Sequence, residues 1–150
     1  MDDLKIHTFT ELSERVVNSL VELEREIFDN PLSKDALRKE LEGKRKLLVL
    51  IAMVAEVKCG FKVGFEYSPD TFFSWIGGVH PSYRRHRIAS VLMAEQHRLA
   101  KDAGFSYVRT HTKNKYREML ILNIQSGFDV TGIYKKPREA QHGIILEKEL

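Results

Sequence analysis

Cysteine is almost missing from this chain: Cys59 stands alone among 150 residues. A lone cysteine closes no internal disulfide, so the fold must rest on its own core and needs no oxidising compartment. Long apolar runs are missing as well. The longest, Leu47 to Ala55, falls far short of the roughly 20 residues of a membrane-spanning helix and reads as a buried strand. The opening Met1-Asp2-Asp3-Leu4-Lys5 is acidic and lacks the apolar core of a secretory signal. These absences lead to the expectation of a cytoplasmic protein with no membrane partner. Metal-ligand spacing is absent too, because the six histidines are scattered, so no metal is expected. Charge of one sign is scarce: 24 Lys and Arg against 21 Asp and Glu leave +3, too little to argue for nucleic acid.

What is present suits one soluble domain over residues 1–150, with hydrophobic residues at 43% and charged residues at 30%. Leu4 to Phe9 alternates weakly, as a first strand does. Thr8 and Glu11 have capping-box spacing ahead of Leu12, Val16, Leu20, Leu23 and Ile27, which recur at helical intervals up to Asp29-Asn30-Pro31. Ser33 reads as the N-cap of a second, short helix stapled by Leu32 and Leu37, with Gly43 as its stop. Three strands follow, about Lys46 to Val54, Val57 to Tyr67 and Thr71 to Val79. Their short breaks predict an antiparallel meander. A long helix spans about Ile88 to Ala103, with Ile88, Val91, Leu92, Leu99 and Ala103 facing inward and Gly104 beyond its end. Phe105 to His111 is a fifth strand and Tyr116 to Ser126 a further helix. Gly127 to Tyr134 and Gly143 to Leu150 are closing strands. The order β-α-α-β-β-β-α-β-α-β-β is a mixed α/β pattern around one central sheet.

The stretch with most chemistry is Gly78-Val79-His80-Pro81-Ser82-Tyr83-Arg84-Arg85-His86-Arg87-Ile88-Ala89. A strand ends, a basic loop follows and a helix begins. The first turn of a helix carries free N–H groups and partial positive charge, which suits phosphate or pyrophosphate. Arg84, Arg85 and Arg87 add guanidinium groups that pair with phosphate. Small Ala89 and Ser90 leave room for close approach. The competing reading is a solvated basic loop that only caps a helix.

This stretch resembles the coenzyme A loop of the GNAT superfamily of N-acetyltransferases, whose pattern is Val-x-Pro-x-Tyr-Arg-Gly-x-Gly-Ile-Gly/Ala between a strand and a helix. Val79, Pro81, Tyr83, Arg84, Ile88 and Ala89 fall in step with it. A second signature, an Asn or Tyr followed after three residues by Gly-Phe, matches Asn123 and Gly127-Phe128. Arg85 and Arg87 depart from the pattern, standing where the family has glycine.

The resemblance implies a GNAT fold with a splayed central sheet, and acetyl-CoA as acetyl donor. It also implies transfer to a primary amine of a small molecule or of a protein or peptide N-terminus. Gly78, Val79, His80, Arg84, Arg85, His86, Arg87, Ile88, Ala89, Ser90, Asn114 and Asn123 would then bind the cofactor. Its pantetheine arm would lie beside the fourth strand, where Gly77 and Gly78 suit a bulge and close approach. Many relatives place a tyrosine acid where this chain has Asn123. An amide donates a hydrogen bond but gives up no proton, so Asn123 has a supporting role, with Tyr116 and Tyr134 as fallback acids. The base candidates are His111, which titrates near neutral pH, and Glu66 and Glu24, which more often lie on surfaces. Phe28 to Leu32 and Tyr134 to Glu139 would shape the acceptor pocket. Lys135, Lys136 and Arg138 there suit an acceptor with a carboxylate or phosphate. A homodimer stays open. The rival readings are an acyl-CoA sensor without turnover and a nucleic-acid-binding module using Arg84, Arg85, Arg87, Lys113, Lys115 and Arg117.

Overall fold

The computed structural model describes residues 3–84, 87–138 and 140–150. Its elements are β1 (Leu4–Phe9), α1 (Glu14–Ile27), α2 (Lys34–Leu41), β2 (Leu48–Val54), β3 (Val57–Ser68), β4 (Thr71–Val79), α3 (Ile88–Asp102), β5 (Tyr107–Lys113), α4 (Arg117–Gln125), β6 (Asp129–Tyr134) and β7 (Gly143–Glu149). The order is the one expected from the sequence. The strands form a seven-stranded sheet in the order β1-β2-β3-β4-β5-β7-β6. The β2-β3-β4 meander is antiparallel. Only β4 and β5 pair in parallel, and α3 connects them.

The apolar run of β2 is continuous because both faces of the sheet are covered. Leu48, Leu50, Ala52 and Val54 join Ile88, Leu92 and Phe128 in one core cluster. Leu47, Val49 and Ile51 join Val16, Leu20 and Leu23 of α1 and Leu37 and Leu41 of α2 in the other. The first cluster therefore lies under α3, with Leu120 and Leu122 of α4 against it. Cys59 is buried there and donates to Ala52 O. Burial raises its thiol above the ordinary value, so it behaves as a small apolar residue.

Several local expectations change. The cap of α1 is Ser13, whose hydroxyl accepts from Val16 N, while Thr8 belongs to β1. Sheet pairing with Val49 and Leu50 holds Thr8 and Phe9 extended, so the capping-box spacing is incidental. Ser33 caps α2 as expected, accepting from Ala36 N. On α3, Val91 is exposed and the inward face instead includes Met93, Gln96 and His97. Hydrophobic spacing missed these because two of them are polar. β5 continues past His111 to Lys113, as β7 pairs with it that far.

Candidate functional site

The parallel pairing of β4 and β5 runs only from Thr71 with Tyr107 to Ser74 with Thr110. Thr110 Oγ1 donates to Ser74 O at 2.9 Å and marks the last tie between them. Beyond it β4 continues to Val79 and β5 to Lys113, with no sheet pairing between them. The bulge that accompanies this opening sits at Trp75, rather than at the glycines. Gly64 pairs with Ser74 and Val63 with Ile76, so Trp75 is the extra residue. A bulge bends and twists its strand locally. The glycines serve close packing: a Cβ on Gly77 would stand 2.9 Å from Phe61 O, and one on Gly78 would stand 2.9 Å from Ile27 and Phe28.

The loop after β4 is folded back on the strand end. His80 N donates to Cys59 O at 2.7 Å, and Arg84 Nε to Val79 O at 3.2 Å. His80 Nδ1 accepts from Ser82 N, starting the single 3₁₀ turn Pro81–Tyr83. Arg87 then caps α3 without any side-chain bond, and the first backbone bond there is Val91 N to Arg87 O. The N–H groups of Ile88, Ala89 and Ser90 thus precede the first intrahelical donor. Arg87 adopts the left-handed conformation, at φ +61°. This is a backbone that glycine takes freely and that costs a residue with a Cβ roughly 1–2 kcal/mol. The backbone shape which a glycine would provide is kept, and the arginine side chain is added to it. Arg85 and His86 lie outside the described residues, as does Glu139.

On the α1 side, Phe28 packs edge-on against Phe61 and covers Gly78. Glu24 is not a surface carboxylate. It is buried, its Oε1 accepts from Leu32 N at 2.8 Å, and burial raises its carboxyl above the ordinary range. It shapes the α1–α2 loop where Asp29 and Pro31 divert the chain. Glu66 pairs with Arg45 across 3.1 Å. His111 is the first residue of β5 beyond the tie to β4. Its ring lies between Phe73, at 4.8 Å, and Tyr134, at 5.0 Å between centroids. Its Nε2 accepts from Arg109 Nε at 3.1 Å. Burial, then Arg109 and Lys136, hold its pKa below the usual value and keep the imidazole neutral.

Asn123 is 3% exposed, and among the described residues of α4 it is the buried one. Its carbonyl accepts from Phe128 N at 3.0 Å, which joins α4 to β6. Tyr116 does not share that face. It precedes the helix at its N-cap, is 52% exposed, and has Lys115 against its ring. Asn114 lies exposed in the β5–α4 turn. Sequence reasoning missed three residues under α3: Lys62, Gln96 and His97. The signal for Lys62 was available, a lone charge within Cys59-Gly60-Phe61-Lys62-Val63-Gly64-Phe65. A concavity of about 500 Å³ between β1 and α1, lined by His7, Arg15 and Lys58, lies away from this gap. Among the described residues no group of three potential ligands could hold a metal.

No protein-family model matches the sequence, and no curated protein does. Solved structures do match. The ribosomal-protein-S18-alanine N-acetyltransferase from Escherichia coli superposes with a TM-score of 0.82 at 14% identity, covering 97% of this chain and 93% of that one. Ard1 from Thermoplasma volcanium gives 0.81 at 17% identity, covering 99% and 98%. A GNAT family acetyltransferase from Elizabethkingia anophelis, solved with acetyl-CoA bound, gives 0.78 at 20% identity over 100% of both chains. The fold is the GNAT fold. Within it, the opened β4–β5 gap and the uncapped start of α3 are adjacent because one short loop joins β4 to α3.

The strain at Arg87 is measurable. Arg87→Gly should stabilise the free protein by about 1 kcal/mol, raising its thermal midpoint by roughly 2–4 °C for a chain of this size. A lowered midpoint would show that contacts of the arginine side chain outweigh its backbone cost.

Proposed function

We propose that this protein is a GNAT-type N-acetyltransferase that takes acetyl-CoA as donor and a primary amine as acceptor. The observation that carries the reading is the unpaired stretch of β4 after Ser74, which leads through a short loop into a helix start whose N–H groups have no intrahelical partner. An extended amide-bearing arm would bond beside Trp75 to Val79 as an added strand does. Its pyrophosphate would meet Ile88, Ala89 and Ser90 with the positive end of α3, alongside Arg84, Arg87 and His80.

The chemistry needs the two reactants held in line, which removes much of the entropic barrier. A neutral amine attacks the thioester carbonyl, the C–S bond breaks, and the amine's extra proton goes to a base. His111 suits that role by its place at the opening of the gap and by its neutral ring. Arg109 must release Nε2 for the proton to be received there. Phe28, Phe73 and Tyr134 border the acceptor side, and Lys135, Lys136 and Arg138 favour an acceptor that carries a carboxylate or phosphate. Asn123 supports the cofactor without giving a proton. The bond from Arg109 to His111 favours a second reading, binding without turnover.

Ser90→Glu tests the binding claim. A carboxylate in the first turn suits the helix dipole, so the free protein should hold or gain stability. The same charge repels pyrophosphate, so the rise in melting temperature with acetyl-CoA should vanish. An unchanged rise would put the pyrophosphate elsewhere.

The base claim is tested by His111→Ala in a turnover assay over a panel of amines. Turnover should fall on the order of a hundredfold, with acetyl-CoA affinity unchanged. The histidine acts when neutral and its pKa is lowered. The wild-type rate should therefore fall with acid only at a pH lower than that of an ordinary histidine, and the variant should lose that limb. Equal wild-type and variant rates would remove His111 from the mechanism, and no turnover in either would favour the sensor.

A further inference from the structure

Lys62 sits on the sheet face beneath α3. Its cross-strand neighbours are Leu50 on β2 and Gly77 on β4, and Leu50 belongs to the core cluster that holds Ile88 and Leu92. The stem leans onto β4: a Cβ on Gly77 would meet Lys62 Cγ at 3.2 Å. Glycine at that position is what leaves the path open. The ammonium acts electrostatically on His97 of α3, a ring that also contacts Phe128 and feels Lys148 of β7. The stem of Lys62 therefore lies against β4, the strand that borders the gap.

The helix that covers this face carries buried polar groups. Ile88 and Leu92 pack over Gly60, two residues before Lys62 on the same strand. One turn further along α3 comes Gln96, 0% exposed, and neither its Oε1 nor its Nε2 has a partner. His97 is 8% exposed and its Nε2 is likewise unpartnered. Buried polar atoms nearly always have partners, so Gln96 and His97 stand out among the buried residues of α3. The titratable and charged groups around Lys62 are few. His97 comes from α3, while β2 and β4 offer Leu50 and Gly77. No carboxylate among the described residues pairs with Lys62.

We propose that Lys62 is the group that receives the departing coenzyme A sulfur, first as a charge and then as proton donor. The proposal rests on the acetyltransferase reading above. When the amine nitrogen bonds to the acetyl carbon, the C–S bond breaks and its electron pair stays on sulfur. The Lys62 ammonium faces that thiolate and passes it one proton, giving coenzyme A as the thiol and lysine as the free amine. Solvent then returns a proton to the amine, and the proton lost by the acceptor leaves through the base. Asn123 has no proton to give, Tyr116 lies exposed outside the gap, and Tyr134 stands beside His111 on the acceptor side. Lys62 is half-buried, and desolvation by the protein around it lowers the ammonium to about 8. That value makes it an acid ready to give up its proton at neutral pH, as an ordinary lysine is not.

The test follows the bound thiol itself, by the ultraviolet absorbance of the thiolate during pH titration of the complex with coenzyme A. In the wild type the thiol should ionise no more than about one pH unit below free coenzyme A, as an opposite charge nearby dictates, so that the thiolate still takes the proton of Lys62. Lys62→Met keeps the stem and should abolish the shift. Lys62→Arg should keep it while turnover stays low, because arginine holds its proton. With acetyl-CoA, Lys62→Met should lower kcat about a hundredfold and leave KM unchanged. An unshifted thiol in the wild type, or a shift that survives Lys62→Met, overturns the proposal and leaves the acetyltransferase reading intact. Failure of coenzyme A to bind the wild type overturns both.

Discussion

Everything at this site depends on where β4 and β5 stop pairing. Their last tie is the bond from Thr110 Oγ1 to Ser74 O, and the next residue, Trp75, is the bulge. Sheet backbones normally satisfy each other, and a backbone without a neighbour is a template for another strand. Here the unpaired stretch lies inside the sheet, with the end of α1 against Gly78 on one face and α3 against β4 on the other. The parallel arrangement has a further consequence. A parallel pair needs a crossover, and that crossover is α3, so the helix start is delivered to the mouth of the gap by the same topology that opens it.

The two faces of the opening differ in chemistry. The α1 side is aromatic, with Phe28, Phe73, His111 and Tyr134, and Glu24 fixes the loop that brings Phe28 onto Gly78. The α3 side is polar where a core should be dry, with Lys62, Gln96 and His97. An amine acceptor approaching from the first side and a leaving sulfur received on the second would keep the two proton transfers apart. That separation suits a reaction in which one group must take a proton while another gives one.

Much of this was legible in the sequence. The element order, the meander and the basic strand-to-helix loop follow from periodicity, short turns and charge placement. The buried half of the site was not legible, for physical reasons. Gln96 and His97 interrupt the apolar stripe of α3, so hydrophobic spacing assigned Val91 inward in their place. The bulge at Trp75 carries no composition signal, whereas Gly77 and Gly78 are conspicuous and serve packing instead. Arg87 departs from the glycine of the family pattern, yet it adopts the left-handed backbone that glycine takes freely. Glu24 looked like a surface acid because nothing local shows that Leu32 N, across a proline loop, will bond to it.

The central claim is that the β4 backbone beyond Ser74 is the binding surface for the donor. Amide hydrogen exchange with and without acetyl-CoA measures this residue by residue. The account predicts new protection at Trp75 to Gly78 and at Ile88 to Ser90, with Thr71 to Phe73 unchanged because β3 and β5 already pair that stretch. Protection confined to the concavity between β1 and α1, around His7 and Lys58, would contradict it.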